Sequence, residues 1–398
     1  MENNVETSKT MRTRVFATLF VSIFASVAGV GIVVPLLPVY AGDLGASGIY
    51  ISLIFGSFSL SRTFLLPYFG RRSDIDGRKP FIVWGLLCYA LISFAFLFFK
   101  SVNALIAIRF LQGMASAMIL PVAQAYAGDL TPEGREGLSM GLFNMSIFTG
   151  LSLGPLMGGF IKDSFSLGAT FFFMGGLCAF AFFLALFMLP PKHLEIVTHR
   201  NRTPASWKHL LADRMIFGLF ALRFAYTTCI GIIWSFLPVY AHDAFSMSST
   251  RIGFLLTLGV FISGLLQMPM GALADRRNKT AMILVGGTIV TYAIASMRWS
   301  NGFADIFLAN CLFGLGGGIC MPAHMALSVK SGKQAMAMGS IMSIMTVAHS
   351  LGMMGGSLIA GLITDLSAVY FAFTWGAFFM AAGVIIFALS AAGTKPCP

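Results

Sequence analysis

Pro35-Leu-Leu-Pro-Val-Tyr-Ala-Gly-Asp43 returns 200 residues later as Ser235-Phe-Leu-Pro-Val-Tyr-Ala-His-Asp243. Each copy closes a long apolar run. Further along, Gly70 to Asp74 parallels Gly271 to Asp275, and Gly113 and Pro121 parallel Gly314 and Pro322, each 201 residues apart. An offset that holds across three apolar runs marks a duplicated unit. A unit with an even number of crossings returns the chain to the side it left, so the two copies are parallel repeats.

The composition says what surrounds those runs. Of 398 residues, 57% are hydrophobic and only 10% are charged, against about 25% charged in an ordinary soluble domain. So few charges cannot cover a water-facing surface, so the missing solvent is lipid. Apolar runs able to span lie near 15–40, 48–70, 79–99, 103–128, 137–161, 168–190, 214–240, 250–271, 280–297, 303–328, 335–362 and 367–392. Each approaches or exceeds the roughly 20 residues that cross a hydrocarbon core of about 30 Å. In lipid a backbone must satisfy its own polar groups, which makes these helices, and the short alternating segments of a β-barrel are missing. The sequence therefore predicts an all-α membrane protein with twelve transmembrane helices in two parallel six-helix repeats. The halves are residues 1–190 and 214–398, joined by a polar linker over 191–213.

Met1 to Arg14 reads as a short polar tail, and the run after it is too long for a signal-peptide core, so it is an uncleaved first helix. Ser206 to Arg214 reads equally as a short interfacial helix or a plain loop. The six cysteines lie mostly inside apolar runs, with neither a disulfide framework nor zinc spacing, and read as packing residues.

The net charge of +11 would suit a nucleic-acid partner if it were clustered, and it is not. With both ends on one side, 19 of the 26 Lys and Arg fall on the terminus side, four on the other (Lys100, Lys162, Arg251, Arg298) and three inside the runs. This is the positive-inside bias. It predicts a multi-pass protein of the cell inner (plasma) membrane with both termini cytoplasmic, the basic excess meeting anionic lipid and no nucleic acid.

Between the second and third runs stands Gly70-Arg-Arg-Ser-Asp74-Ile-Asp-Gly77-Arg78-Lys79-Pro80. This resembles the signature loop of the major facilitator superfamily. Arg109-Phe-Leu-Gln-Gly113 resembles a second family motif, in which a buried arginine is associated with proton transfer. Gly150-Leu-Ser-Leu-Gly154-Pro155-Leu-Met-Gly158-Gly159 resembles the antiporter motif, and Gly29 with Pro35-Leu-Leu-Pro38 is similar to a first-helix motif of twelve-helix drug:proton antiporters. The resemblance covers the whole chain. It implies that Asp74 meets the helix start near Gly332 to Gln334 and that Arg78 pairs with Asp129, a latch for the outward-open state built on Gly70, Asp74, Gly77, Arg78, Asp129 and, in the second copy, Asp275. Ile75 stands where the family carries a basic residue, which weakens the expected latch. Small residues at the fifth-run spacing allow close helix packing, and Pro155 can bend the helix.

Polar groups inside spans are costly in lipid and point to function. All fifteen carboxylates fall at the ends of the runs or outside them, so the buried carboxylate that many lipophilic-cation pumps use is lacking. Arg62, Arg109 and Arg223 do lie within runs. Arg223 is the prime substrate contact and favours an anionic or zwitterionic ligand; the competing reading bonds it to carbonyls or lets it snorkel. Tyr226, Trp234, Gln124 and Arg62 are candidate cavity neighbours. Arg109, Asp43 and His324 are candidate proton carriers, with His349 beside them, because imidazole titrates near neutrality; a neutral hydrogen-bonded histidine is the structural alternative.

The sequence thus reads as a secondary active transporter, a proton-coupled exporter of small molecules or drugs by alternating access. Efflux would confer multidrug resistance. The alternative is an importer or facilitator of an anionic metabolite or sugar. No HExxH, GxSxG or Walker-type loop occurs, so neither an enzyme nor direct ATP drive is expected, nor any cofactor or metal. Monomers would suffice.

Overall fold

A computed structural model describes residues 2–129, 136–190, 207–335 and 338–392. Its first half contains α1 (Glu2–Asp43), α2 (Gly48–Asp76), α3 (Arg78–Ala95), α4 (Val102–Asp129), α5 (Glu136–Ser164) and α6 (Leu167–Met188). A short α7 (Trp207–Ala212) precedes the second half. That half contains α8 (Arg214–Phe245), α9 (Ser249–Arg276), α10 (Lys279–Ser296), α11 (Phe303–Gln334), α12 (Met338–Leu366) and α13 (Tyr370–Ala392). Among the described residues, eleven helices are long and apolar enough to cross a membrane. The twelfth long helix, α5, is diluted by glycines, serines and Asn144 and spends its length against other helices.

The helices run past the apolar runs. The Met1 to Arg14 stretch, expected as a tail, instead extends α1 back to Glu2. Within the Ser206 to Arg214 stretch, the helix reading fits: α7 forms there and its Leu210 is buried. Residues 191–206 of the linker lie outside the described chain. Breaks between helices coincide with capping residues. Asp213 accepts from the Ile216 amide at 3.0 Å and opens α8; Ser166 and Asn278 open α6 and α10 in the same way, satisfying helix-end N–H groups.

The halves repeat in packing as well as in sequence. α1 lies along α5 as α8 lies along α12; α2 pairs with α4 as α9 pairs with α11; α3 pairs with α6 as α10 pairs with α13. Across the halves, α2 packs on α12 and α5 on α9. Lipid provides no hydrophobic drive for helix association, so close approach must come from small residues. On α5, a Cβ at Gly154 would lie 2.7 Å from the Ala28 carbonyl oxygen and 2.8 Å from Gly31 Cα. One at Gly158 would lie 2.7 Å from the Ile32 carbonyl oxygen, and Gly150 is only slightly less confined. These three glycines seat α5 on α1. Gly159 faces the other way, its absent Cβ 2.7 Å from the Ser249 carbonyl carbon, and the backbone of Pro155 fills the space over Gly253. The motif is therefore a two-sided seam, joining α5 to its own half and to α9 of the other. Gly352, Gly356 and Gly361 of α12 sit 202 residues further on and do the same against α8 and α2.

All of the close interhelical contacts just described between halves lie toward the face opposite the chain termini, the distal face. Two carboxylates complete this seal. Asp365, ending α12, accepts from the Gly48 amide at 2.5 Å and the Ile49 amide at 2.9 Å. Asp163, ending α5, accepts from the Thr250 amide at 2.7 Å and its hydroxyl at 2.6 Å. Each half thus caps a helix N-terminus of the other, where bare amides and the helix dipole favour negative charge. Below them, Ser235 and Ser357 hydroxyls meet at 2.8 Å, and Ser52 donates to the Ser357 carbonyl at 2.6 Å. Burial opposes the Asp163 charge, but the Thr250 hydroxyl and amide and nearby Lys162 outweigh it and hold the carboxyl below its ordinary range. A depressed carboxyl contributes above its ordinary value and is lost only as pH falls through the lower one.

Gly154→Leu should destabilise the protein by about 1–3 kcal/mol through overpacking, read as a lower melting temperature in detergent. Gly176→Ala, on an open lipid-side position with nothing within 4 Å, should melt like the wild type. Asp163→Ala with Asp365→Ala should open the distal face, each lost cap being worth about 0.5–2 kcal/mol. A maleimide confined to that side should then label Val34→Cys, in a background without native cysteines, severalfold faster.

Candidate functional site

On the terminus side of the seal the two halves enclose a cavity of about 370 Å³, within the range of small-molecule sites. α1, α2, α4 and α5 wall it from one half, and α8, α9, α11 and α12 from the other. Among the described lining residues there is no aspartate or glutamate, and all three arginines of the apolar runs are present.

Arg223 reaches across from α8. Its Nη1 donates to the Met321 sulfur at 3.0 Å, and its Nη2 lies 3.4 Å from His349 Nδ1. Arg62, from α2, makes no hydrogen bond or ion pair among the described residues, and its Nε is buried without a partner. Arg109 is held differently. It is 2% exposed, its Nη1 donates to Gln112 Oε1 at 2.7 Å, and its guanidinium lies over the Phe58 ring at 4.4 Å from the centroid. An aromatic face attracts a cation, so Arg109 belongs to the wall. A turn further along α4, Gly113 admits the neighbouring helix: a Cβ there would lie 3.1 Å from the Phe58 carbonyl carbon.

Tyr226 lines the cavity and stacks on Phe313, with centroids 5.7 Å apart and planes 13° from parallel. A Cβ on Gly317 would press on that tyrosine, 3.2 Å from its Cζ. Trp234 is also in the wall. Gln124 is not: one turn past Leu120 on α4, it is exposed and absent from the lining. Gln267 and Asn310 are polar lining groups that the sequence reading passed over. Their signal was available, as amides inside apolar runs.

The proton candidates separate. Asp43 sits exposed at the distal end of α1, outside the cavity. His324 is buried behind the wall, its Nε2 3.0 Å from the Leu219 carbonyl oxygen and its Nδ1 without a partner. His349, considered only beside it, is the histidine that faces the cavity. The sequence spacing could not separate them, because which face of a helix looks inward is set by its neighbours.

In the signature loop, Gly77 takes φ 93° and ψ 157°, backbone space open to glycine, which allows the abrupt turn from α2 to α3. Arg78 is buried and donates to Ser73 Oγ at 2.7 Å; Lys79 Nζ donates to the Leu189 carbonyl at 2.6 Å; Arg72 and Asp76 pair at 2.6 Å. Gly70 has open space around it, and Asp275 is exposed at the matching loop of the second half. The side chains of Asp74, Asp129 and Lys333 lie outside the described residues, and with them the expected Asp74 and Arg78–Asp129 contacts.

Comparison with known proteins agrees with this architecture. The family described as Major Facilitator Superfamily matches residues 19–248 and again 219–396. The chain is 28% identical to an uncharacterized MFS-type transporter of Methanocaldococcus jannaschii, covering 91% of this chain and 94% of that one. It is 25% identical to Multidrug resistance protein 2 of Bacillus subtilis, over 96% of each chain. The fold matches the crystal structure of the nucleoside transporter NupG with a TM-score of 0.78 at 13% identity, over 94% of this chain and 99% of that one.

Proposed function

Because this chain belongs to the Major Facilitator Superfamily, a family of membrane transporters, we propose that it exports small molecules from the cell in exchange for protons, by alternating access to the cavity. The observation that carries this reading is the α5 seam. Gly150, Gly154 and Gly158 seat the helix on α1 while Pro155 and Gly159 seat it on α9, so the helix bearing the antiporter-like motif is one of the two along which the halves part. Similarity to Multidrug resistance protein 2 supports export and drug-like cargo.

The positive-inside bias of the basic loops supports a cytoplasmic terminus face; in that orientation the cavity is sealed from outside and receives its substrate from within. Residues 1–190 and 214–398 rock about the 191–213 linker. When they close inside, the Asp74 and Arg78–Asp129 contacts latch the cytoplasmic ends, and the two aspartate caps release on the far side. Protons arriving past Asp43 act on the groups around Arg109. Of the two histidines, His349 is the better carrier, because it touches both the cavity and Arg223. One chain carries the whole pathway in the plasma membrane, working as a monomer without a cofactor and performing transport rather than catalysis.

A second reading, entry or facilitated passage of an anionic metabolite or sugar, draws on the same cavity, whose described lining holds arginines and no carboxylate.

The test uses everted vesicles with an acidic lumen and a pH-sensitive dye. Cationic, neutral and anionic compounds are added in turn. Dequenching that requires the protein is the expected result. Silence for every class, with anion uptake in the same vesicles, would replace export with the second reading. Arg109→Ala should abolish proton-driven transport while leaving substrate-driven exchange measurable; coupling that survives it would remove Arg109 from the proton path.

A further inference from the structure

We propose that the cavity is an anion site, in which one acidic group is held between the halves by Arg62 of α2 and by Arg223 with His349 of α8 and α12. The inference rests on reading the cavity as the transport site, and it does not depend on the direction of transport.

Three guanidiniums at membrane depth are costly. Each central arginine costs about 2.5–3.5 kcal/mol on insertion scales, and a buried charge is retained where something pairs with it. Within the protein the pairing is poor. Arg223 has a thioether, which is a weak acceptor, and an imidazole nitrogen at 3.4 Å, beyond good hydrogen-bond distance. Arg62 has no hydrogen-bonding partner among the described residues. Arg109 is held more firmly, by Gln112 and the Phe58 face; its Nε is also buried without a partner, but at 2% exposure the group is packed into the wall, which leaves the other two as the donors whose unused capacity a ligand can reach. The counter-charge they lack is absent from the described cavity wall. A ligand can bring it.

Position strengthens the charge argument. Arg62 belongs to one half, and Arg223 and His349 to the other. All three side chains line the same cavity, and Arg223 Nη2 lies 3.4 Å from His349 Nδ1. An anion there takes charge-assisted hydrogen bonds from both halves and draws them together, which is the closure that alternating access needs on this side. Guanidinium forks suit carboxylate or sulfonate oxygens. The Tyr226–Phe313 stack and Trp234 supply a flat apolar wall for the rest of the molecule. The ligand class is therefore an aromatic or aliphatic monoanion of about two-ring size. An organic cation of the same shape meets like charge with nothing to pair it.

The test is isothermal titration of the purified full chain in nanodiscs with three probes of one shape: 2-naphthoate, 2-naphthamide and 2-naphthylmethylammonium. 2-Naphthoate should bind at least about tenfold more tightly than either other probe. Arg62→Gln and Arg223→Gln should each remove that preference by weakening 2-naphthoate more than 2-naphthamide, while Arg62→Lys and Arg223→Lys keep part of it. Melting temperatures check that the variants fold, and the comparison among probes on the parent protein needs no variant. Equal or tighter binding of the ammonium or the amide overturns the proposal. So does an anion preference that survives both glutamine variants, or no binding of any probe at millimolar concentration. If the vesicle experiment shows no proton release while 2-naphthoate keeps its preference, the export reading falls and the anion site stands. If cations drive proton release and 2-naphthoate has no advantage, the anion site falls and export stands.

Discussion

Backbone-to-backbone approach at glycine is the interaction on which the rest of this structure depends. Helices in lipid gain little by burying apolar side chains against one another, because the surrounding acyl chains are as apolar as leucine. What remains is contact at short range, and α5 and α12 obtain it by presenting glycine to the carbonyls of α1 and α8. Their other edges meet α9 and α2. The same two helices thus build each half and join the halves. A joint made of many weak dispersion contacts and a few hydrogen bonds can part and re-form, whereas an interface of large interlocked side chains would resist sliding.

The cavity follows from where that joint stops. The twin carboxylate caps and the Ser52–Ser357 contact close the distal side, and below them the halves diverge around polar groups that could not be left against lipid. Arg109 is packed into the wall against Gln112 and the Phe58 face, and Arg62 and Arg223 have no such support. A desolvated guanidinium with a poor partner stores unfavourable electrostatic energy, and a ligand of opposite charge releases it. Carboxylates are placed the other way, at helix ends near water, where capping rather than burial decides their energy. In the proposed anion site the two signs of charge have separate tasks: positive at the centre for binding, negative at the rim for closure.

Much of the fold was legible along the chain. Twelve apolar runs, the low charge fraction and the steady offset near 200 residues dictate membrane helices in two copies, because hydropathy and duplication are properties of sequence alone. The fifth helix was legible through its glycine spacing although it is the least apolar of the twelve. The N-terminal tail was misjudged, since a polar stretch can continue a helix once the apolar run has nucleated it, and hydropathy sees only where lipid ends.

The site was legible in its chemistry and not in its geometry. Sequence alone determined that three arginines and no carboxylate lie at membrane depth, because charge and depth can be read from one helix at a time. Only the tertiary structure decided that the three share one cavity, that His349 rather than His324 faces it, and that Gln124 stays outside. It also decided that Asp163 and Asp365 are partners in a single seal. Each of those facts depends on the rotation of one helix against another, and that rotation is set by which small residues let two backbones touch across the bundle.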